Sequence, residues 1–142
     1  MKKPSTFIFD LDGTLANGNG RDFYNPTNEE ILKDSPIEPV CEVLRALDEC
    51  HNIIFLSGRE AKYYEPTREW IRKQLRFEEP VLFMRKTGDF RKDAIIKAEI
   101  YKEKIEPNYE VIACFDDRLP VVKMWYELGV FCFNVNQGLH PY

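Results

Sequence analysis

Five short apolar runs, rich in β-branched and aromatic residues, recur along this chain. Runs of this length, bounded by turn residues and charged segments, are typical of strands buried inside a sheet. They predict strands at residues 6–11, Ile53–Leu56, Pro80–Met84, Val111–Phe115 and Val130–Val135.

Segments with a helical spacing of apolar residues separate most of these runs. They predict helices around Val40–Leu47, Pro66–Leu75, 91–105 and Val121–Leu128. Residues 15–35 are predicted to be irregular, with a hairpin turn at Asn17-Gly18-Asn19-Gly20. Strands that alternate with helices predict an α/β fold, in which a mainly parallel central sheet has helices on both faces.

The composition is that of a globular protein, and we expect one domain spanning residues 1–142. Hydrophobic residues make up 44% and charged residues 31% of the chain, which allows a substantial core. The net charge of −4 excludes nucleic-acid binding through overall basicity. Residues 57–104 nevertheless carry 13 Lys and Arg against 9 Asp and Glu, which suits an anionic substrate or a solvated helix surface.

The cysteines and the amino-terminal residues indicate the cellular compartment in which the protein is expected. The four cysteines form no CxxC motif, and this pattern is typical of a reduced, cytosolic protein. Lys2 and Lys3 precede only a short apolar run, so we expect no signal peptide. No apolar run approaches the length of a membrane span, and we expect a cytoplasmic protein without a membrane partner.

Two aspartates follow the first predicted strand. Asp10 and Asp12 are two residues apart, so in an extended backbone their carboxylates project to the same side. Gly13 allows a sharp turn out of the strand, and Thr14 adds a hydroxyl group. A pair of carboxylates favours an oxygen-seeking cation such as Mg²⁺, although the same residues are also common where a strand ends in a turn.

Further polar residues follow the second, third and fourth strands. These are Ser57-Gly58-Arg59, Arg85 and Asp116-Asp117-Arg118. The carboxyl ends of parallel strands share one edge of the sheet, so all four clusters are predicted to converge there. Taken separately, Ser57-Gly58 is also consistent with a simple turn, and Asp116-Asp117 with the N-cap of the next helix.

These residues are suited to phosphoryl transfer. Asp10 is the candidate nucleophile, and Asp12 is placed to protonate the leaving oxygen and later to activate water. Mg²⁺ would be held by Asp10, by the main-chain carbonyl of Asp12 and by Asp116 or Asp117, with Asp116 favoured as the direct ligand. The candidates for the phosphate site are Thr14, Ser57, Gly58 and Lys92, where Lys92 would act as a point charge on the phosphate and the nucleophile. Taken alone, a lysine at such a position is more often a surface residue.

The segments between these motifs are too short to form a lid domain. The site is therefore predicted to be open, which allows the end of a polymer to enter. Candidates for contacts with the backbone and bases of such a polymer are Arg21, Tyr24, Tyr63, Tyr64 and Arg85. The tyrosines are also consistent with core packing, and an open site also admits a phosphoprotein or a small phosphoester.

Together the motifs resemble those of the haloacid dehalogenase superfamily. Asp10-Leu11-Asp12-Gly13-Thr14, Ser57, Lys92 and Asp116-Asp117 follow the order of its four motifs. The resemblance implies a Rossmann-like three-layer fold, Mg²⁺ dependence and an aspartyl-phosphate intermediate. Thr14 suits the phosphatase branch of the superfamily, and the short connections imply a small hairpin flap without a large cap domain.

Within that superfamily the chain resembles the polynucleotide 3′-phosphatase domains of bifunctional bacteriophage kinases. The similar stretches include Asn19-Gly20-Arg21, Ser57-Gly58-Arg59-Glu60, Arg91-Lys92-Asp93 and Asp116-Asp117-Arg118. The resemblance implies that Arg21, Arg59 and Arg85 join the active site. The chain departs from that pattern in a shorter loop between Glu60 and Lys62. It also has no GxxxxGK[ST] phosphate loop, so we expect no 5′-kinase activity from it.

The main hypothesis is a Mg²⁺-dependent phosphatase that removes the 3′-phosphate from DNA or RNA ends during repair, with a separate kinase or ligase as a possible partner. A phosphatase of the same superfamily acting on small molecules or nucleotides is the first alternative. A non-catalytic module that binds nucleic-acid ends is the second.

Overall fold

A five-stranded parallel sheet forms the centre of the molecule in the computed structural model, which describes residues 2–138. In chain order the elements are β1 (Ser5–Phe9), β2 (Ala16–Asn17), α1 (Asn28–Leu32), β3 (Ser35–Pro36), α2 (Glu38–Asp48), β4 (Asn52–Glu60), α3 (Tyr64–Trp70), β5 (Val81–Arg85), α4 (Asp93–Ile100), β6 (Glu110–Asp116), α5 (Leu119–Glu127) and β7 (Cys132–Asn134). A 3₁₀ turn at Ala61–Tyr63 precedes α3, and π-helical turns at Ile71–Leu75 and Tyr101–Ile105 extend α3 and α4.

The strand order is β5-β4-β1-β6-β7, so β1 lies at the centre of the sheet. Side chains along β1 alternate between the two faces. Phe7 and Phe9 pack in a cluster with residues of α2 and α3, including Trp70. Ile8 packs in a second cluster with residues of α4 and α5, including Trp125. This three-layer arrangement confirms the predicted α/β, Rossmann-like architecture, and it places the ends of β1, β4 and β6 side by side.

The segment predicted to be irregular contains a helix and a small two-stranded sheet. β2 pairs antiparallel with β3 and α1 lies between them, so the pair is joined by residues 18–34 and not by a tight turn alone. Thr27 and Glu30 cap the first turn of α1 reciprocally, because each side chain accepts a hydrogen bond from the other's main-chain N–H. In the part of the chain that the structure describes, no inserted segment is large enough to form a cap domain.

Two strands end at other residues than predicted, and both differences affect the residues of the candidate site. Strand β4 continues through Ser57-Gly58-Arg59 to Glu60, so these residues are not a turn. The pairing of β4 with β5 becomes irregular between Ser57 and Glu60, which lets β4 extend over the sheet edge. Strand β1 ends at Phe9, so Asp10 and Asp12 lie beyond its regular alternation. Across residues 2–138, no helix combines the length and the apolarity that crossing a membrane requires.

Candidate active site

Three buried carboxylates meet where β1 and β6 end. Asp10, Asp116 and Asp117 each offer an oxygen atom, and these atoms lie within 4.8 Å of one another. Asp116 Oδ1 also accepts hydrogen bonds from the main-chain N–H groups of Asp117 and Arg118, at 2.9 and 3.2 Å. The N-cap residue of α5 is Arg118, without a side-chain cap, so the two aspartates do not serve as the helix cap that the sequence also allowed.

The lysine beside the candidate nucleophile is Lys97. Its Nζ atom donates to Asp10 Oδ1 at 2.9 Å and to Asp116 Oδ2 at 2.8 Å, and its side chain is almost fully buried. The sequence predicts Lys92 in this role. Lys92 is instead the exposed N-cap residue of α4 and lines the mouth of the site. Lys97 lies more than one helical turn further along, on the face of α4 that packs against the sheet.

The charges of this cluster do not balance. Burial, followed by the negative charge of Asp116, raises the pKa of Asp10 well above its usual range, against the opposing attraction of Lys97. Burial also raises the pKa of Asp117. Burial alone would lower the pKa of Lys97, but the charges of Asp10 and Asp116 outweigh it and raise that pKa. Three carboxylates that face one ammonium group suit a divalent cation with oxygen ligands, so the residues present fit Mg²⁺.

Thr14 and Ser57 support the cluster from buried positions. The hydroxyl of Thr14 donates to Asp10 Oδ2 at 3.0 Å and lies 3.5 Å from Asp117 Oδ1, so it orients carboxylates. The Oγ atom of Ser57 accepts a hydrogen bond from the main-chain N–H of Arg59 at 3.1 Å. Both side chains are buried, and the sequence placed both of them among the candidates for the phosphate site.

Asp12 faces different partners from Asp10. Arg59 donates to both of its carboxylate oxygens, at 2.9 and 2.7 Å, and Arg21 approaches the same group at 3.4 Å. Burial alone would raise the pKa of Asp12, but the charge and hydrogen bonds of Arg59 outweigh it and lower that pKa. Asp12 is therefore held as a carboxylate in this structure.

A buried aspartate organises the two arginines. Asp34 accepts hydrogen bonds from Arg21 at 2.7 and 2.8 Å and from Arg59 at 2.9 Å. The indole N–H of Trp70 donates to the main-chain oxygen of Asp34, which fixes that residue against α3. The sequence does not single out Asp34, because an aspartate in a polar loop has no distinguishing signal there.

Arg85 is anchored within the protein. Its guanidinium donates to the main-chain oxygens of Gly58, Asp89 and Arg91 and forms an ion pair of 2.9 Å with Asp93. A Cβ atom at Gly58 would collide with the Asp93 carboxylate, so only glycine allows this close approach. Arg85 thus connects β4, the loop after β5 and the start of α4.

An open cavity of about 540 Å³ leads to these groups. Its inner wall contains Asp10, Asp12, Arg21, Gly58, Arg59 and Arg85, and its mouth includes Lys92 and Tyr63. A second cavity of about 480 Å³ is lined by Asp12, Gly13 and Asp117 and shares Arg21 with the first. Tyr24 is exposed at both cavities, whereas Tyr64 packs against the core. The structure therefore brings both carboxylates of the first motif and all three candidate arginines to one opening.

Comparison with known proteins identifies related chains. A family model described as the polynucleotide kinase PNKP phosphatase domain matches residues 4–140. A putative bifunctional polynucleotide kinase/RNA ligase from Autographa californica nuclear polyhedrosis virus is 39% identical over 137 residues, which cover 94% of this chain and 20% of that protein.

Two solved structures, described as the Pnkp1/Rnl/Hen1 RNA repair complex and the Pnkp1/Rnl/Hen1 complex, each contain a chain that is 43% identical with a TM-score of 0.86. The similarity covers 94% of this chain and 42% and 46% of those chains. The chain thus spans about a fifth of the viral relative and less than half of each solved relative.

Proposed function

We propose a reaction for this chain from one premise: the chain belongs to the phosphatase-domain family of polynucleotide kinase PNKP. It removes the 3′-phosphate from a polynucleotide end and leaves a 3′-hydroxyl that strand joining can use. The observation that carries this proposal is the buried cluster of Asp10, Asp116, Asp117 and Lys97, which an open cavity reaches at Asp10. A cavity of about 540 Å³ is within the range of small-ligand sites.

Mg²⁺ would be held by the carboxylates of Asp10, Asp116 and Asp117, together with the main-chain carbonyl of Asp12. When bound, the ion supplies positive charge that neutralises the phosphate and stabilises the charge that develops during transfer. Lys97 contributes a further fixed positive charge next to Asp10 and Asp116.

Asp10 is the nucleophile of the proposed reaction. A carboxylate oxygen of Asp10 attacks phosphorus while the bond from phosphorus to the 3′-oxygen breaks, which yields an aspartyl phosphate and the 3′-hydroxyl. Asp12 donates the proton that the leaving oxygen takes up. Asp12 then accepts a proton from the water that attacks the aspartyl phosphate, which releases inorganic phosphate and restores Asp10.

Arg59 controls the protonation of Asp12 in this scheme. In the structure Arg59 holds Asp12 as a carboxylate, whereas the first step needs Asp12 in its protonated form. A phosphate dianion in the cavity offers Arg59 an alternative partner for bidentate hydrogen bonds. Substrate binding therefore loosens the Arg59–Asp12 pair and allows Asp12 to take up the proton that it donates.

The test is a panel of substrates with and without Mg²⁺. It compares a 3′-phosphorylated oligonucleotide with a 5′-phosphorylated oligonucleotide, a nucleoside monophosphate and a sugar phosphate. We expect Mg²⁺-dependent phosphate release, fastest from the 3′-phosphorylated oligonucleotide, and no release by Asp10→Asn. Preference for a mononucleotide or sugar phosphate would instead support a small-molecule phosphatase. Tight binding of the 3′-phosphorylated end without turnover would support a binding module.

We also propose that a ligase acts on the hydroxyl this chain leaves, because the viral relative is described as a kinase/RNA ligase and the solved relatives as complexes with Rnl. DNA and RNA substrates with identical sequences would establish which polymer is preferred. A coupled assay in which a ligase seals only ends treated with this chain tests the order of the two reactions.

A further inference from the structure

Three exposed aromatic side chains surround the mouth of the catalytic cavity. Phe23 is 51% exposed, Tyr24 is 76% exposed and Phe90 is 80% exposed, and all three line the cavity that reaches Asp10. Phe23 and Tyr24 follow Arg21, whereas Phe90 lies between β5 and α4, so two separate segments supply them. Large apolar side chains collected at one opening on a surface mark a binding site more often than scattered ones do.

The main chain on either side of Phe90 is tightly held. Arg85 donates to the carbonyl oxygens of Asp89 and Arg91, the two neighbours of Phe90, at 2.8 and 2.7 Å. Arg91 in turn pairs with Asp89 and with Glu99. The loop is therefore ordered by its polar groups while its aromatic side chain projects into solvent. The ring of Phe90 is therefore preorganised for contact with a ligand, which lowers the entropic cost of binding.

The segment that carries Phe23 and Tyr24 is also held by hydrogen bonds. The carboxylate of Asp22 accepts hydrogen bonds from the main-chain N–H groups of Tyr24 and Asn25, at 2.9 and 3.0 Å. Arg21 also donates to the main-chain oxygen of Asp22 at 3.0 Å. The rings of Phe23 and Tyr24 meet edge to face, with centroids 5.1 Å apart and an interplanar angle of 82°. Two ordered aromatic platforms thus border one cavity.

Exposed cations lie beside these platforms. Lys92 is two residues from Phe90, and Lys62 lines the same cavity next to Tyr63. Aromatic side chains interleaved with cations are suited to a single nucleic-acid strand, because bases stack on the rings and phosphates meet the charges. A small sugar phosphate has no aromatic base that could stack on these platforms.

We infer that Phe23, Tyr24 and Phe90 form a base clamp that stacks the nucleobase of the terminal nucleotide while its 3′-phosphate reaches Asp10. This inference rests on the proposed function and adds to it the residues that recognise the polymer end. Lys62 and Lys92 contact the phosphates of the preceding nucleotides. Stacking on aromatic faces tolerates every base, so the clamp recognises the presence of a base and not its sequence.

The experiment compares two 3′-phosphorylated oligonucleotides that differ only in whether the terminal nucleotide carries a base or is abasic. Phe90→Ala and Phe23→Ala should each lower kcat/KM on the base-carrying strand about tenfold, mainly through KM, because base stacking is lost. The loss on the abasic strand should be several-fold smaller. Tyr126→Ala is the matched control, because Tyr126 is 82% exposed and lines neither cavity.

A direct measurement of stacking uses 2-aminopurine as the terminal base and the Asp10→Asn protein, which should bind the strand without releasing phosphate. The fluorescence of 2-aminopurine should be quenched on binding, and Phe90→Ala combined with Asp10→Asn should reduce the quenching, because one of the two platforms is lost. Equal losses of kcat/KM on both strands, or quenching that Phe90→Ala leaves unchanged, would overturn the clamp while leaving the phosphatase proposal intact. Phosphate release from p-nitrophenyl phosphate but not from any oligonucleotide would overturn the proposed function itself.

Discussion

The ammonium nitrogen of Lys97 lies 2.9 Å from a carboxylate oxygen of Asp10, and both side chains are buried. The pair connects α4 to the end of the central strand across 87 positions of sequence. It also places a permanent positive charge beside the proposed nucleophile, where the phosphate must bind. A buried charge needs such a partner, because its removal from water is otherwise strongly unfavourable.

Replacement of Lys97 by methionine should therefore affect both folding and catalysis. Lys97→Met leaves Asp10 and Asp116 buried side by side without their cation, and breaking a buried pair in this way costs about 3–5 kcal/mol. We expect a lower free energy of unfolding in urea and loss of phosphate release. Lys92→Met, at an exposed position of the same helix, should keep the wild-type stability. Equal destabilisation by the two variants would contradict the assignment of Lys97.

Asp34 is expected to act by positioning Arg21 and Arg59. Asp34→Asn removes the negative charge that both arginines share, and misplacement of a substrate-binding group by about 1 Å is enough for a loss of ~10²-fold in rate. We expect this loss in phosphate release, together with a changed pH–rate profile, because Arg59 also sets the protonation of Asp12. Asp48→Asn, at an exposed aspartate, is the matched control and should match wild type in both measurements.

The carboxylate cluster predicts that proton binding and Mg²⁺ binding compete for the same carboxylates. The pKa values of Asp10 and Asp117 are raised, mainly by burial, so the folded protein binds protons more tightly than the unfolded chain. The free energy of unfolding without metal should fall as pH rises from about 4, the ordinary carboxyl pKa, through the raised folded values. Mg²⁺ requires the ionised carboxylates, so its stabilising effect should increase over the same pH range.

Thermal unfolding with and without Mg²⁺ at several pH values checks this link. At a Mg²⁺ concentration of about 100 times its Kd, the stabilisation should be about 2.7 kcal/mol. Asp117→Asn should reduce both the Mg²⁺ effect and its pH dependence, whereas Asp48→Asn should change neither. A Mg²⁺ effect of constant size across the pH range would count against the link between carboxylate ionisation and Mg²⁺ binding.

Gly13 is expected to tolerate no side chain. Its φ is +82°, and a Cβ atom there would collide with the Asp117 carboxylate. Gly88 has a similar φ of +86° but open space where a Cβ atom would lie, so Gly88→Ala serves as the control for backbone strain alone. Both variants should lose about 1–3 kcal/mol from the unfavourable backbone conformation. Gly13→Ala should in addition weaken Mg²⁺ binding, measured as loss of Mg²⁺-induced thermal stabilisation.

Local patterns in the sequence were enough to predict the layered fold and the edge of the sheet that carries the site. Apolar runs and helical spacing act over a few residues, and the backbone converts them directly into strands and helices. Because parallel strands end at a common edge, the positions of Asp10, Asp116 and Asp117 after their strands were enough to predict that these residues meet. The short helix α1 was missed, although the capping pair Thr27 and Glu30 is present in the sequence as its signal.

The side chains that complete the site are set by long-range packing. A lysine in a helix and an aspartate in a polar loop are usually exposed, so Lys97 and Asp34 carry no local sign of burial. Their roles arise from partners distant in sequence, which reach them only after the sheet and its helices have packed. The same holds for Asp12, whose ionised state depends on Arg59 from another strand. The order of residues along the chain thus determines where the carboxylates lie, while tertiary packing decides which charges face them.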